Sequence, residues 1–189
     1  MNLVLETIKN RRSIRRYLPQ QIRDEELSLI LEAGVWAPSA HNEQPWHFSV
    51  IQKEELIDMM SEKTIAMMKT SRLEWVRKMG EREGFHVFYN APTVIVVSGK
   101  TGGEALLKPI ADCSAAIQNI LLAAESLGIG TCWIGFTGLF FVTATKEELQ
   151  KLSIPEGYEP FYSIAVGYKS PDHLYSAPRR KQNTITYIR

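Results

Sequence analysis

The sequence predicts an α+β fold in which helices outnumber strands. The clearest long pattern, Glu104–Leu127, is helical: Cys113, Ile117, Ile120, Leu121, Ala124 and Leu127 line one face, and Gly128 supplies the stop. Four short runs read as strands: Trp46–Ile51, Thr93–Ser98, Thr131–Ile134 and Phe161–Tyr168. Their order is not a strict strand–helix alternation, which argues against a doubly wound sheet. The 189 residues are 44% hydrophobic and 23% charged, enough for one domain spanning 1–189 with a real core.

The elements follow in order. Asp24 stands as an N-cap before Leu27, Ile30, Leu31 and Val35, a helical stripe that proline stops within Gly34–Pro38. Trp46, Phe48 and Val50 alternate with His47, Ser49 and Ile51, as a strand requires. Lys53–Gly80 is rich in Met, Glu and Lys and reads as one or two helices. Thr93–Ser98 is β-branched and reads as a buried strand, with Gly99–Gly103 as a flexible turn. The alanines of Glu104–Leu127 let another backbone approach closely, which makes that helix central. Thr145 and Glu148 form a capping box for Lys146–Leu152. The tail Asn183–Ile188 alternates like a strand but needs a partner sheet, which another subunit can supply.

Composition excludes several classes. Lys plus Arg is 22 against 21 Asp plus Glu, a net charge of +1, too balanced for a general nucleic-acid binder. Two cysteines, Cys113 and Cys132, cannot make a disulfide scaffold and fit a reducing compartment. The longest apolar runs, such as Ile120–Ala124, fall short of the ~20 residues of a membrane helix. Met1–Thr7 is not a secretory signal. The expectation is a soluble, cytoplasmic protein with no nucleic-acid or membrane partner.

Four motifs can carry chemistry. Arg11-Arg12-Ser13-Ile14-Arg15-Arg16 places four arginines in six positions. Guanidinium groups bind phosphate bidentately, although on charge alone a solvated basic face is the commoner reading. Pro38-Ser39-Ala40-His41-Asn42-Glu43-Gln44-Pro45-Trp46 is a polar loop. Its amides suit the edge of a heteroaromatic ring, and a structural turn is the alternative. In Gly128-Ile129-Gly130-Thr131-Cys132-Trp133-Ile134-Gly135 a tight helix-to-strand connection accounts for Gly128 and Gly130, but less well for Gly135. Arg179-Arg180-Lys181 reads as a surface patch, or as the completion of a phosphate clamp.

No HExxH, GxSxG or Walker pattern occurs, and His41, His47, His86 and His173 lack metal-ligand spacing. The cysteines read as inert buried thiols, and Met59, Met60, Met67 and Met68 as core or pocket lining. Trp75, Phe85 and Phe88 read as pocket caps or as packing.

Five markers together resemble the FMN-dependent nitroreductase family over nearly the whole chain. They are the RRSIRRY segment, the PSAHNEQPWHF loop, the D-x-x-x-A-x-Q-N-x-x-L-x-A helix at Asp112–Ala124, LGIGTCWIG, and the basic tail. The resemblance implies a mainly antiparallel sheet flanked by helices, and a homodimer that exchanges the C-terminal strand and binds FMN at its interface. By position, Arg11, Arg12, Ser13 and Arg15 look like the segment holding the FMN phosphate and ribityl chain. Arg180, with Arg179, looks like the C-terminal phosphate ligand. Pro38, Ser39, Asn42 and Gln44 look like the loop reaching the flavin from the other subunit, and Ile134 and Gly135 like backbone lying against the isoalloxazine.

The implied activity is ping-pong hydride transfer from NADH or NADPH through FMN to a nitroaromatic, quinone or similar small-molecule acceptor. FMN carries that chemistry, so no dedicated catalytic side chain is expected. The alternatives within the resemblance are a specialised relative, such as a dehalogenase or ene-type reductase, and a non-catalytic FMN store. A plain interaction domain whose arginines bind acidic partners is the alternative outside it.

Overall fold

A computed structural model describes residues 2–102, 109–172 and 175–189. Its centre is a four-stranded antiparallel sheet of order β1-β2-β4-β3. The strands are β1 Trp46–Ile51, β2 Thr93–Lys100, β3 Ile129–Ile134 and β4 Tyr158–Tyr168. The helices are α1 Leu3–Asn10, α2 Asp24–Val35, α3 Glu54–Lys69, α4 Glu74–Gly80, α5 Ile110–Ser126, α6 Thr137–Phe141 and α7 Lys146–Lys151. The α+β expectation is borne out.

The strand period of two divides the core between two faces. Val94 and Val96 of β2 pack with Ile57, Met60 and Met68 of α3 and with Phe140 of α6. Ile95 and Val97 pack on the opposite face with Ile30 of α2 and with Ile117 and Ile120 of α5. The central strand is therefore buried on both sides, as its β-branched run predicts. Each fully buried aliphatic side chain contributes roughly 1.5–3 kcal/mol relative to an exposed one.

Several expectations need correction. Asp24 is the first helical residue of α2 and Arg23 is the cap, because Glu26 reaches back to the Arg23 N–H at 3.0 Å and to its guanidinium at 2.7 Å. Lys53–Gly80 resolves into two helices, α3 and α4. Gly99 and Lys100 are not a turn: they continue β2, paired with Glu159 and Tyr158 across a register shift at Val97/Ser98. A Cβ on Gly99 would lie 2.6 Å from the Phe161 ring. The expected helix Glu104–Leu127 begins at Ile110 among the described residues, and its first part lies outside them. The Thr145–Glu148 box is borne out, with Glu148 N–H donating to the Thr145 hydroxyl at 3.2 Å. Helices α1 and α6 were not anticipated.

The tail 175–189 forms no ladder within this chain, and Ile185, Tyr187 and Ile188 are exposed. Its alternation is a strand pattern without a strand's partner.

The N-terminal segment is laced to the sheet at β3. Ile14 N–H donates to the Thr131 carbonyl at 2.8 Å, Leu18 N–H to that of Tyr168 at 3.0 Å, and Ser170 N–H to that of Arg16 at 3.1 Å. The Ile14 side chain is 1% exposed. Gly130 makes room for it: a Cβ there would sit 2.9 Å from Ile14 Cγ2 and 3.0 Å from Lys169 Cγ. Gly130 is thus a strand residue selected for space, whereas Gly128, at φ +75°, is the left-handed stop of α5. Gly130→Ala should destabilise the protein by ~1–3 kcal/mol through overpacking, read as a lower urea midpoint at unchanged m-value.

Candidate functional site

The lacing at β3 aligns the basic segment with that strand. Ser13 bridges to Thr131, and Arg11, Ser13 and Arg15 all bear on the Cys132 thiol. The Tyr17 hydroxyl donates to the Ile14 carbonyl at 2.8 Å and closes the segment's turn. Burial raises the Tyr17 pKa well above its usual value, so it stays a neutral donor. The four arginines do not lie on one solvated face. Arg12 folds back, its Nη1 donating to the Lys9 carbonyl at 2.6 Å and the Arg11 carbonyl at 2.8 Å, which satisfies orphan acceptors at the end of α1. Arg12 Nε is buried with no hydrogen-bond partner among the described residues. A buried unsatisfied donor of this kind costs ~1–3 kcal/mol, more for charged groups, unless a ligand or second chain supplies an acceptor.

Arg15 reaches Tyr89. Its Nε donates to the Tyr89 hydroxyl at 3.2 Å, and its guanidinium carbon lies 5.7 Å from the Tyr89 ring centroid. The Tyr175 hydroxyl approaches the Arg15 amide at 3.4 Å, bringing the start of the tail to the same place. Arg15, Arg16, Phe85, Tyr89 and Asp172 line an open cleft of about 420 Å³ here.

Ile134 and Gly135 close β3. Ile134 is buried, yet nothing lies within 4 Å of where a Gly135 Cβ would be. The backbone at Gly135 is therefore open on that side. Phe136 follows it, and Trp75 of α4, 58% exposed, has its ring centroid 5.9 Å from that of Phe136. Of the other aromatic candidates, Phe88 is core and Phe85 meets Tyr89 edge to face.

The polar loop leads into β1, whose first residue Trp46 pairs with Gly99 of β2. Ala40 N–H donates to Asp112 Oδ1 at 3.2 Å, tying the loop to α5. Gln44 N–H donates to Ser39 Oγ at 3.0 Å, and the Gln44 amide to Asn42 Oδ1 at 3.0 Å. His41, Asn42 and Gln44 hold φ of 50°, 56° and 48°. Side chains rarely accept this left-handed region, and such strain concentrates at functional sites. Pro38, His41, Asn42 and Gln44 are exposed and Ser39 is half-buried. No hydrogen bond among the described residues joins this loop to the arginine segment. Arg179 and Arg180 are exposed on the tail.

Within one chain, then, Arg11, Arg12, Ser13, Arg15, Ile134 and Gly135 share one strand and its edge. No hydrogen bond among the described residues joins Pro38, Ser39, Asn42, Gln44, Arg179 or Arg180 to them. Sequence reasoning quoted Tyr17 within RRSIRRY without giving it a role and missed Tyr89 and Tyr175, because lone tyrosines far apart in the chain carry no spacing signal.

The thiols are set by burial. It pushes Cys113 up to about 12, with Asp112 adding to the effect. Burial also raises Cys132, while Arg15, Arg11 and the Ser13 hydroxyl pull it partly back. Both are free and buried. Neither should react with an aromatic disulfide reagent at pH 8 in the folded protein, and both should react on denaturation, counted by thiolate release.

Comparison with known proteins identifies the family. Residues 8–168 match the family model described as the nitroreductase family. A protein of Archaeoglobus fulgidus, provisionally named NADH dehydrogenase/NAD(P)H nitroreductase, is 36% identical over 187 residues, covering 95% of this chain and 94% of its own. A solved nitroreductase with bound FMN from Bacteroides fragilis superposes with a TM-score of 0.86 at 34% identity, covering 100% of both chains. One from Desulfitobacterium hafniense, also with bound FMN, gives 0.86 at 31% identity over 100% of both chains. This chain belongs to the nitroreductase family, and its named relatives are oxidoreductases. Among the described residues no helix is long and apolar enough to cross a membrane.

Proposed function

We propose that the chain is one FMN-binding domain, residues 1–189, of a homodimeric NAD(P)H-dependent oxidoreductase of small, electron-poor acceptors. The observation that carries this reading is the open backbone at Gly135, at the end of the strand whose edge bears the basic segment. A flat ring can lie against such a backbone, and its phosphate needs cations nearby. The buried, unpartnered Arg12 Nε fits an acceptor supplied from outside the chain. The FMN carried by the solved relatives is a group of that chemistry.

FMN, when bound, would supply the redox chemistry of ping-pong hydride transfer from NADH or NADPH to a nitroaromatic or quinone. The chain's own work is binding and orientation. Arg11, Arg12, Ser13 and Arg15 would bind phosphate and ribityl oxygens, with Arg179 and Arg180 completing the anion site from the tail. Backbone N–H groups at Ile134 and Gly135, with the Arg15 charge, would favour negative charge on the ring system. Pro38, Ser39, Asn42 and Gln44 would reach the ring edge from the second subunit.

Exposed apolar surface supports the dimer. Leu3, Val4, Leu5 and Ile8 of α1 are uncovered, Trp36 is 79% exposed and Ile188 is 97% exposed. Apolar patches of this kind mark interaction surfaces. The tail would add as a strand to the partner's sheet. Two free buried thiols fit a cytoplasmic setting.

The purified protein should show a flavin absorbance band that bleaches anaerobically with NADH or NADPH. A band that persists would favour an FMN store, and no band after added FMN would remove the proposal. Arg15→Ala should weaken FMN binding by about 10–100-fold, the scale of one lost hydrogen bond to a charged group, measured by quenching of flavin fluorescence. Unchanged affinity would remove Arg15 from the site. Deleting residues 183–189 should lower the sedimentation coefficient from dimer towards monomer, and a yellow, intact dimer would refute the exchanged arm.

A further inference from the structure

We propose that His86 is a positioning residue: its neutral imidazole holds the Tyr89–Asn90 turn in the one conformation that keeps the Tyr89 hydroxyl on Arg15. The inference rests on the reading that Arg15 serves the cofactor.

The geometry fixes the ring's state. His86 Nδ1 accepts the amide of Phe88 at 3.2 Å and that of Asn90 at 3.3 Å. Backbone N–H groups can only donate, so Nδ1 carries no proton. The proton of the neutral ring is then on Nε2, which faces Asp58 Oδ1 at 3.2 Å. The side chain is only 15% exposed.

The turn depends on that nitrogen. Tyr89 and Asn90 sit at φ 57° and 56°, two consecutive left-handed residues that are not glycine. Such a pair costs free energy unless the surroundings over-determine it. Two of the turn's amides converge on one imidazole nitrogen, while the Tyr89 amide goes to the His86 carbonyl at 2.9 Å. Val87 N–H is held separately by the buried Ser61 hydroxyl at 3.0 Å. The far end of the turn is anchored at α3, and Tyr89, at its tip, receives Arg15 Nε at 3.2 Å.

A second proton on the ring has nowhere to go but Nδ1. It would face two N–H donors, and the turn would open. Asp58 and Glu62 of α3 favour that proton. In the adjoining clefts Glu54 and Asp172 bear the same sign, whereas Arg15 and Arg16 oppose protonation. Burial is the largest effect and lowers the ring's pKa below 6.5. The sign follows: the contacts of the neutral ring are complete above 6.5 and are lost as pH falls through the lower folded value.

The first test uses flavin-free wild-type protein and needs no variant. Nitrogen-15 spectra should show His86 titrating below 6.5, with the Phe88 and Asn90 amides and the Arg15 Nε–H shifting at the same midpoint. An Arg15 Nε–H that ignores the His86 titration would overturn the proposal. The second test uses His86→Asn, whose side-chain oxygen replaces the Nδ1 acceptor but does not titrate. FMN affinity of wild type should fall by about tenfold relative to His86→Asn between pH 8 and pH 5, the scale of losing one charged hydrogen bond. The FMN phosphate titrates in the same range, so only the difference between the two proteins counts. Equal pH profiles together with unmoved Arg15 resonances would overturn the proposal. Equal profiles with coupled resonances would uphold the His86–Arg15 link and instead remove Arg15 from the cofactor site.

Discussion

The edge of β3 is the constraint on which the rest of the molecule depends. An open sheet edge is a row of unpaired donors and acceptors. Here the chain's own N-terminal segment covers it, through the hydrogen bond from Ile14 N–H to Thr131 and the buried Ile14 side chain over Gly130. The same contact that protects the edge delivers Arg11, Ser13 and Arg15 to the strand that ends at Gly135. Fold and site are thus one piece of construction. Loosening the lacing would expose the edge and scatter the cations together.

Around that edge the molecule tolerates local strain where a rigid frame can hold it. His41, Asn42 and Gln44 are left-handed in a loop anchored to Asp112 of α5. Tyr89 and Asn90 are left-handed in a turn anchored to His86 and Ser61. In both cases the anchor is a polar side chain bonded to backbone amides, and in both the helix carrying or backing it packs on the sheet.

Much of this was legible from residue order. The period-two run at Trp46–Ile51 and the β-branched run at Thr93–Ser98 read as strands, since alternation or full burial leaves a pattern in one dimension. Thr145 and Glu148 gave a cap because both partners lie within one turn. The basic segment and the Gly135 turn stood out by composition. Features that depend on contact across the fold were hidden. Gly130 read as part of a turn because the reason for it, Ile14, lies far away in sequence. Arg23 rather than Asp24 caps α2 because Glu26 bends back, a choice that Tyr168 of β4 supports with a 2.7 Å hydrogen bond to the same carboxylate. Gly99 belongs to β2 because β4 extends far enough to pair with it.

The sequence by itself determined the class of fold, the family, and the residue types proposed to meet an anion and a flat ring. Those depend on local periodicity and on motif chemistry, which are properties of neighbours in the chain. Only the tertiary structure decided how each arginine is partnered. Arg12 is turned back onto α1, whereas Arg15 reaches Tyr89, and no spacing rule distinguishes the two. It also gave His86 its tautomer, because the amides and the carboxylate that fix the proton come together only when the turn at Tyr89 packs against α3.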